Sequence, residues 1–366
     1  MACDYTALAV DGVKGLTPYQ PGKPIEELER ELGISNIIKL ASNENPLGPS
    51  RKVLDAVQKI TPDLARYPDG NGFELKAALS QKLGVSPDSI TLGNGSNDVL
   101  DLIARVYLAP GVEAIFSEYA FAVYPISTQA VGATAVVTPA SNWGHDLEAM
   151  LAAITDRTRV IFIANPNNPT GTWLTDVEIK AFLAKVPEQV LVVLDEAYIE
   201  YVDKAGLPDG VTYLKDYPNL IVTRTFSKAY GLASLRVGYG ISSPEIAGML
   251  NRVRQPFNVN SVALAAAVAA LADDEYLTNS RKVNANGMAQ LERGFNQLNL
   301  EFIPSAGNFI TVHFDRQAQP VFEKLLQQGV IVRPVANYGM PKSLRVSIGT
   351  TEENQRFLDV LTSLIK

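Results

Sequence analysis

The amino-acid sequence predicts an α/β fold, with a large domain built on a mostly parallel central sheet between helices and a smaller α+β domain. From about residue 88, short β-branched runs alternate with helical stretches, which is the rhythm of strand, crossover helix and strand. Several of the runs are apolar almost throughout, as strands covered by helices on both faces should be. Beyond about residue 242 the rhythm slows into longer helices and then a shorter α+β stretch.

Seven runs are predicted as strands of the large domain's sheet. Thr175 followed three residues later by Glu178 is a capping-box start for the helix after the fourth of them, which supports that strand. The seven predicted strands cover residues 89–92, 113–116, 133–138, 159–164, 189–194, 219–224 and 237–241.

The rest of the chain predicts the second domain. An alanine-rich run at residues 262–272 is about half the ~20 residues that a membrane-spanning helix needs, so we predict a buried helix there. We expect the first forty-odd residues to join the C-terminal part, giving a large domain over residues 46–255 and a small domain from 1–45 and 256–366. Further predicted helices cover residues 244–254, 273–298, 318–328 and 352–364, and further strands cover 309–314, 330–333 and 344–348.

Composition excludes several classes of function. The net charge of −7, without a basic block, argues against nucleic acid or a membrane surface as partner. Cys3 is the only cysteine, which fits a reducing, cytoplasmic compartment, and residues 1–15 lack the pattern of a signal peptide. His145 and His313 are isolated, and no metal-binding loop or HExxH helix occurs, so we expect no metal site.

Three polar clusters follow three of the predicted strands. They are NPNNPTG at residues 165–171, DEAY at residues 195–198 and TFSK at residues 225–228. In open α/β sheets, ligands bind beyond the carboxyl ends of the strands. We therefore expect all three clusters to face one crevice.

A fourth cluster, GNGSN at residues 93–97, follows the first predicted strand and opens a helix. Small residues there let backbone N–H groups and the helix N-terminus approach a phosphate. Taken alone this signal is weak, and the cluster is more typical of an ordinary turn. The full GxGxxG spacing is absent, which argues against a dinucleotide site.

The segment SKAYGLASLRVG at residues 227–238 resembles the cofactor-lysine segment of class I and II aminotransferases, the fold-type I enzymes that use pyridoxal 5′-phosphate (PLP). The four clusters occur in that family's order and approximate spacing. The resemblance implies the fold-type I architecture, PLP as cofactor and a homodimer. Ser234 departs from the pattern, because family members often have glycine there.

The resemblance assigns the central roles to a lysine and an aspartate. Lys228 is expected to bind PLP covalently and, once substrate has displaced it, to act as the general base that moves a proton from Cα to the cofactor's C4′. Asp195 is expected to pair with the pyridine nitrogen and keep it protonated. Tyr198 and Asn168 are expected to hydrogen-bond the cofactor's phenolic oxygen.

The resemblance also assigns the remaining cofactor contacts. Arg236 offers a bidentate fork for the cofactor phosphate. Tyr119 matches the aromatic residue that stacks on the pyridine ring, and Tyr67 matches a tyrosine that the neighbouring subunit contributes to the cofactor phosphate. The other expected phosphate contacts are the hydroxyls of Thr225 and Ser227 and the backbone around Gly95, Ser96 and Asn97.

The expected substrate contacts lie near the two ends of the chain. Arg345 resembles the arginine that clamps the substrate's anionic group, and Arg333 is its expected helper. Tyr19 resembles an N-terminal contact that closes over the site, and Asn45 is expected to bind substrate. Three N-terminal motifs narrow the resemblance to the family members that act on histidinol phosphate: LTPYQPG at 16–22, LASNENPLG at 40–48 and RYPDG at 66–70.

The activity implied is transamination of L-histidinol phosphate with 2-oxoglutarate, giving imidazole-acetol phosphate and glutamate in histidine biosynthesis. An aromatic or broad-specificity aminotransferase remains an alternative, because side-chain pockets are scattered over loops. A PLP-dependent decarboxylase of an amino-acid phosphate shares the scaffold and the lysine. A non-catalytic PLP-fold module is disfavoured, because Asp195, Lys228, Arg236 and Arg345 are all present.

Overall fold

A computed structural model of the chain describes residues 3–202 and 206–365. Within these residues the chain forms fifteen strands, with short 3-10 helices among the connections. The strands in chain order are β1 (Ile38–Lys39), β2 (Ile90–Gly93), β3 (Glu113–Ser117), β4 (Thr134–Thr138), β5 (Ala140–Ser141), β6 (Gly144–His145), β7 (Thr158–Ala164), β8 (Leu191–Asp195), β9 (Leu220–Thr225), β10 (Gly238–Ile241), β11 (Phe302–Ile303), β12 (Phe309–His313), β13 (Val330–Ile331), β14 (Arg333–Pro334) and β15 (Ser343–Ser347).

Fourteen α-helices occur in the same described residues. None of them is long and apolar enough to cross a membrane. In chain order they are α1 (Tyr5–Leu8), α2 (Asp11–Lys14), α3 (Ile25–Leu32), α4 (Arg51–Ile60), α5 (Phe73–Leu83), α6 (Ser96–Tyr107), α7 (Val123–Ala130), α8 (Leu147–Ala152), α9 (Asp176–Leu183), α10 (Pro244–Val253), α11 (Ser261–Leu271), α12 (Asp274–Gln297), α13 (Gln319–Gln327) and α14 (Thr351–Ile365).

The central sheet has seven strands in the order β2-β10-β9-β8-β7-β3-β4. β10 is antiparallel to both of its neighbours, and the other neighbouring pairs are parallel. The prediction of a mostly parallel sheet between helices is therefore confirmed. Each of the seven predicted strands is present within two residues of its predicted bounds.

Burial on both faces explains why the central strands are apolar throughout. Val192 and Leu194 of β8 belong to a hydrophobic cluster on one face of the sheet, whereas Val193 between them belongs to a cluster on the other face. β4 lies at the edge, and there Val137 is 56% exposed. The alternation places successive side chains on opposite faces, and helices cover both.

A second sheet is antiparallel and has the order β11-β12-β15-β14. The N-terminal segment joins this part of the chain, because β1 pairs in parallel with β13 and Ile38 lies opposite Val330. The single strand predicted at residues 330–333 is wrong in detail, since the structure divides it into β13 and β14, which pair with different partners. The predicted helices at 244–254, 273–298, 318–328 and 352–364 correspond to α10, α12, α13 and α14.

The alanine-rich helix α11 packs close to the central sheet. Ala263, Ala266, Ala267 and Ala270 are buried in the same cluster as the core of that sheet, and the small side chains let α11 lie against α4 and α5. The prediction of a buried helix is confirmed. The domain bounds of 46–255 and 1–45 with 256–366 stay a prediction, and α11 falls on the small-domain side of them.

A buried ion pair ties the ends of β8 and β9 together. Arg224 donates from Nε and Nη2 to Oε2 of Glu196 at 2.9 and 2.6 Å, and from Nη2 to Asp209 at 2.5 Å. The side chain of Glu196 is fully buried, and its Oε1 accepts the Gly210 N–H at 2.7 Å. The neighbours of this pair along the chain, Asp195 and Thr225, are predicted site residues.

Removing the cation of this pair should destabilise the protein strongly. Arg224→Met leaves the Glu196 carboxylate buried without a cationic partner, and we expect the free energy of unfolding to fall by about 3–5 kcal/mol. Urea unfolding followed by circular dichroism measures the loss. Combining Arg224→Met with Glu196→Gln removes both charges and should recover much of the stability; an equal loss in both variants would contradict the account.

Candidate active site

The site is a cleft at the carboxyl ends of three neighbouring parallel strands. Ala164 of β7 lies beside Asp195 of β8, and Asp195 lies beside Thr223 of β9. The cleft encloses a cavity of about 160 Å³ lined by polar and aromatic side chains. Its wall is formed by Tyr19, Gly22, Ala41, Ser42, Asn43, Ser96, Asn97, Phe121, Ala164, Pro166, Asn168, Asp195, Ala197, Tyr198, Thr225, Ser227, Lys228, Arg236, Arg333 and Arg345.

Lys228 presents an amine of unusually low basicity. Its Nζ donates to the backbone oxygen of Ser42 at 3.0 Å and lies 5.9 Å from the centre of the Tyr198 ring. Burial lowers the pKa of Lys228 to about 7, and the positive charge of Arg345 adds to the effect. A large fraction of this amine is therefore neutral, and so nucleophilic, near pH 7.

Asp195 is a buried carboxylate held by neutral donors. Tyr124 donates its hydroxyl to Oδ2 and Thr223 donates its hydroxyl to Oδ1, each at 2.8 Å. Asp195 is 4% exposed, and burial raises its pKa while the two hydrogen bonds oppose the rise. A ligand with a cationic N–H group would compensate this buried carboxylate.

Tyr198 and Asn168 each keep a donor available. The hydroxyl oxygen of Tyr198 accepts from Nδ2 of Asn43 at 3.0 Å, and burial raises the pKa of Tyr198 to about 12. The phenol therefore stays protonated and can donate. Oδ1 of Asn168 accepts from Nη1 of Arg345 at 2.6 Å, which leaves its Nδ2 to donate.

Arg345 is buried, and its hydrogen-bond partners lie far from it in the sequence. Besides Asn168, it donates from Nη2 to the backbone oxygen of Ala41 at 2.6 Å. Its Nε is buried and has no hydrogen-bond partner within the described residues. Since an unpaired buried donor is costly, an anionic ligand in the cleft would complete this guanidinium.

Arg236 forms a cradle with the loop before α6. Its Nη1 donates to Oγ of Ser227 at 3.1 Å, and its Nη2 donates to the backbone oxygen of Asn94 at 3.4 Å. Gly95 has a φ of 79°, and a Cβ there would lie 2.7 Å from Nη2 of Arg236. The glycine thus leaves room for backbone N–H groups and a guanidinium to meet one anion, at the N-terminus of α6.

Arg333 connects the cleft to the N-terminal segment. Its Nη2 donates to the backbone oxygen of Gln20 at 2.6 Å, and its guanidinium lies 5.9 Å from the centre of the Tyr19 ring. Arg333 pairs with Arg345 across β14 and β15. Both predicted substrate arginines and Tyr19 therefore reach the same cleft wall.

Four predicted residues lie outside that wall. Gly95 stands behind Arg236 in the cradle. Tyr119 packs against Trp143 with ring centres 5.2 Å apart, and Tyr67 is 83% exposed and stacks on Phe257 at 4.8 Å. The Nδ2 of Asn45 contacts the backbone oxygen of Ala229 at 2.8 Å together with two hydroxyl groups, so in this structure the amide joins protein segments.

Sequence reasoning missed several residues that shape the cleft. Asn43 binds Tyr198, and Tyr124 and Thr223 bind Asp195. Asn43 lies within the N-terminal motif at 40–48, which was a signal for the site, whereas no local pattern marks Tyr124 or Thr223. The other wall residues that were not predicted are Gly22, Ala41, Ser42, Phe121, Ala164, Pro166 and Ala197.

The donor set fits a PLP molecule. The cradle of Arg236 suits its phosphate, the buried carboxylate of Asp195 suits its ring nitrogen, and the neutral amine of Lys228 suits its aldehyde. Among the described residues, no group of three or more histidine, cysteine, aspartate or glutamate side chains is placed to hold a metal ion.

Comparison with known proteins identifies similar sequences along the whole chain. Residues 35–361 match the family described as aminotransferase class I and II. Histidinol-phosphate aminotransferase 2 of Pseudomonas fluorescens is 64% identical, with 100% of this chain and 99% of the relative covered. The protein of the same name from Pseudomonas aeruginosa is 64% identical over 99% of both chains.

Solved structures share the fold. The histidinol-phosphate aminotransferase of Sinorhizobium meliloti, solved in complex with pyridoxal-5′-phosphate, superposes with a TM-score of 0.89 at 32% identity and 97% coverage of both chains. Thermus thermophilus aspartate aminotransferase with maleate superposes with a TM-score of 0.82 at 21% identity, over 94% of this chain and 97% of that one. The second likeness concerns the fold alone.

The amine of Lys228 in the apoprotein should titrate near pH 7. Competitive labelling with acetic anhydride, followed by peptide mass spectrometry, measures the reactivity of each lysine against pH. We expect labelling of Lys228 to rise and level off around pH 7, because its pKa is lowered to about 7. Exposed lysines of the same sample should keep rising towards about pH 10.4, and a Lys228 profile that follows them would contradict the burial argument.

Proposed function

Because the chain belongs to the class I and II aminotransferases, we propose that it transfers the amino group between L-histidinol phosphate and 2-oxoglutarate, in histidine biosynthesis. PLP is its cofactor. The observation that carries the reaction type is the lowered pKa of Lys228 inside a cleft that also holds Asp195. The substrate follows from the full-length relatives, which are named for histidinol phosphate.

PLP, when bound, supplies an electron sink that accepts the electrons left by removal of the Cα proton. Lys228 would hold this cofactor covalently through Nζ. When Nζ is not bound to the cofactor, its pKa of about 7 would let it act as the general base that takes the proton from the substrate's Cα and delivers it to the cofactor. The backbone oxygen of Ser42, 3.0 Å from Nζ, orients the amine at that point.

Three side chains set the charge on the cofactor. Asp195 would hold the proton on the cofactor's ring nitrogen, because a buried carboxylate without a protein cation favours an N–H⁺ partner. Tyr198 and Asn168, whose oxygens accept from Asn43 and Arg345, would donate their O–H and N–H groups to the cofactor's phenolic oxygen. These contacts favour the ring form that withdraws electrons.

Arg345 binds the anionic group of each substrate in turn. Its buried Nε is free to donate, and Asn168 and Ala41 hold its other two nitrogens in place. Glutamate would offer its α-carboxylate and histidinol phosphate its phosphate to this guanidinium. Arg333 adds a second positive charge and keeps the Tyr19 segment over the cleft.

Absorption spectra of the PLP-loaded protein test the two half-reactions. We expect L-histidinol phosphate to abolish the band of the lysine-bound cofactor, and 2-oxoglutarate to restore it, because each substrate completes one amino transfer. Lys228→Ala is the control and should lack that band from the start.

The same titration with phenylalanine and tyrosine decides the substrate. Conversion by either amino acid at a lower concentration than histidinol phosphate would move the assignment to an aromatic aminotransferase. Release of carbon dioxide without an oxo acid would identify a decarboxylase. An unchanged spectrum with every donor would contradict amino transfer itself.

The protein is also proposed to work as a homodimer in the cytoplasm. Tyr67 and Phe257 form an exposed stacked pair, and Leu64 and Phe73 nearby in the chain are 57% and 69% exposed. Large apolar side chains left exposed in this way favour contact with a second copy. A cytoplasmic location agrees with the exposed free thiol of Cys3.

Mixing two inactive variants tests the shared site. In a dimer of Lys228→Ala with Tyr67→Ala, one site keeps its own Lys228 and receives an intact Tyr67 from the other subunit. We therefore expect activity to return on mixing, up to about one quarter of wild type if random exchange leaves half of the dimers mixed with one good site each. No recovery after exchange, shown by native mass spectrometry, would contradict a shared Tyr67.

A further inference from the structure

The carboxylate of Asp195 has an unusual set of partners. Both of its oxygens accept from neutral hydroxyl groups, those of Tyr124 and Thr223, at 2.8 Å each. Tyr124 and Thr223 are both fully buried. Among the ion pairs of the described residues, the buried cation nearest in sequence, Arg224, pairs with Glu196 and Asp209 instead.

Packing fixes the Tyr124 ring. The ring stacks on Phe162 of β7 with centres 4.8 Å apart and planes at 10°, and it meets Phe121 edge-on at 5.8 Å. Phe121 itself lines the cleft. Burial, with the nearby charge of Asp195, raises the pKa of Tyr124 well above its usual value, so the phenol remains a donor at working pH.

We infer that Tyr124 is a positioning residue which, with Thr223, keeps Asp195 ionised and directs its remaining lone pairs to the ring nitrogen of the cofactor. The inference rests on the proposed function only in taking PLP as the cofactor. Each carboxylate oxygen has about two acceptor positions, and each hydroxyl occupies one. The other two positions remain for the single cationic N–H that the cofactor brings.

Loss of the Tyr124 hydroxyl would shift the proton shared by Asp195 and the cofactor's ring nitrogen towards Asp195. Hydrogen bonds to the charged form of a carboxyl favour that form, whereas burial disfavours it. With one donor gone, Asp195 competes better for the proton that it shares with the ring nitrogen. The ion pair between carboxylate and ring then weakens, and with it the affinity for PLP.

Comparing the binding of two cofactors distinguishes this positioning role from a role in packing alone. The dissociation constant of Tyr124→Phe is measured with PLP and with 1-deazapyridoxal 5′-phosphate, in which a carbon replaces the ring nitrogen. We expect PLP to bind about tenfold to 100-fold more weakly than to wild type, as for a lost hydrogen bond to a charged group. The affinity for the deaza analogue should not fall, because that analogue has no N–H for Asp195.

Matched variants strengthen the test. Tyr213 also donates its hydroxyl to a carboxylate, that of Asp176 outside the cleft, so Tyr213→Phe should leave both affinities unchanged. Thr223→Val should reproduce the pattern of Tyr124→Phe, whereas Thr223→Ser should retain wild-type affinity. Circular dichroism of each apoprotein verifies that the variants fold.

Equal losses with PLP and the deaza analogue would overturn the inference and assign Tyr124 to packing alone. Unchanged PLP affinity in Tyr124→Phe would overturn it as well. These outcomes are distinct from a failure of the proposed function, which would appear in wild type as a PLP-loaded protein that histidinol phosphate does not convert.

Discussion

The buried guanidinium of Arg345 is the contact on which the cleft depends. From β15 it donates to Asn168 in the loop after β7 and to the backbone of Ala41 in the N-terminal segment, both at 2.6 Å. One side chain thus joins the two sheets and the start of the chain. Its positive charge also helps to lower the pKa of Lys228 and opposes the rise in the pKa of Tyr198.

Burial away from water gives Lys228 and Asp195, which this framework positions, their unusual acid–base properties. The same burial leaves Lys228 neutral enough to act as a base and leaves Asp195 in need of a cationic partner. Neither effect exists in water, where lysine is charged and an aspartate is solvated. The charges of the cleft are thus fixed before PLP binds, which is what electrostatic preorganisation requires.

Much of this site was predictable, because the carboxyl ends of parallel strands meet at one edge and the clusters after β7, β8 and β9 carry the required side chains. Tyr124 and Thr223 were not, since their bonds to Asp195 join residues 71 and 28 positions apart and no local pattern specifies such a pairing. Asn45 shows the converse: its motif indicates the site, yet its amide contacts Ala229 and two hydroxyl groups. The antiparallel direction of β10 was also beyond a pattern of alternating strands and helices.

The most direct test of the account is to locate the covalently held cofactor. PLP-loaded protein is reduced with borohydride, digested, and mapped by peptide mass spectrometry. We predict a single pyridoxyl group on the peptide that contains Lys228. A label on a different lysine, such as Lys39, whose charge also acts on Lys228, would contradict the assignment of the central amine.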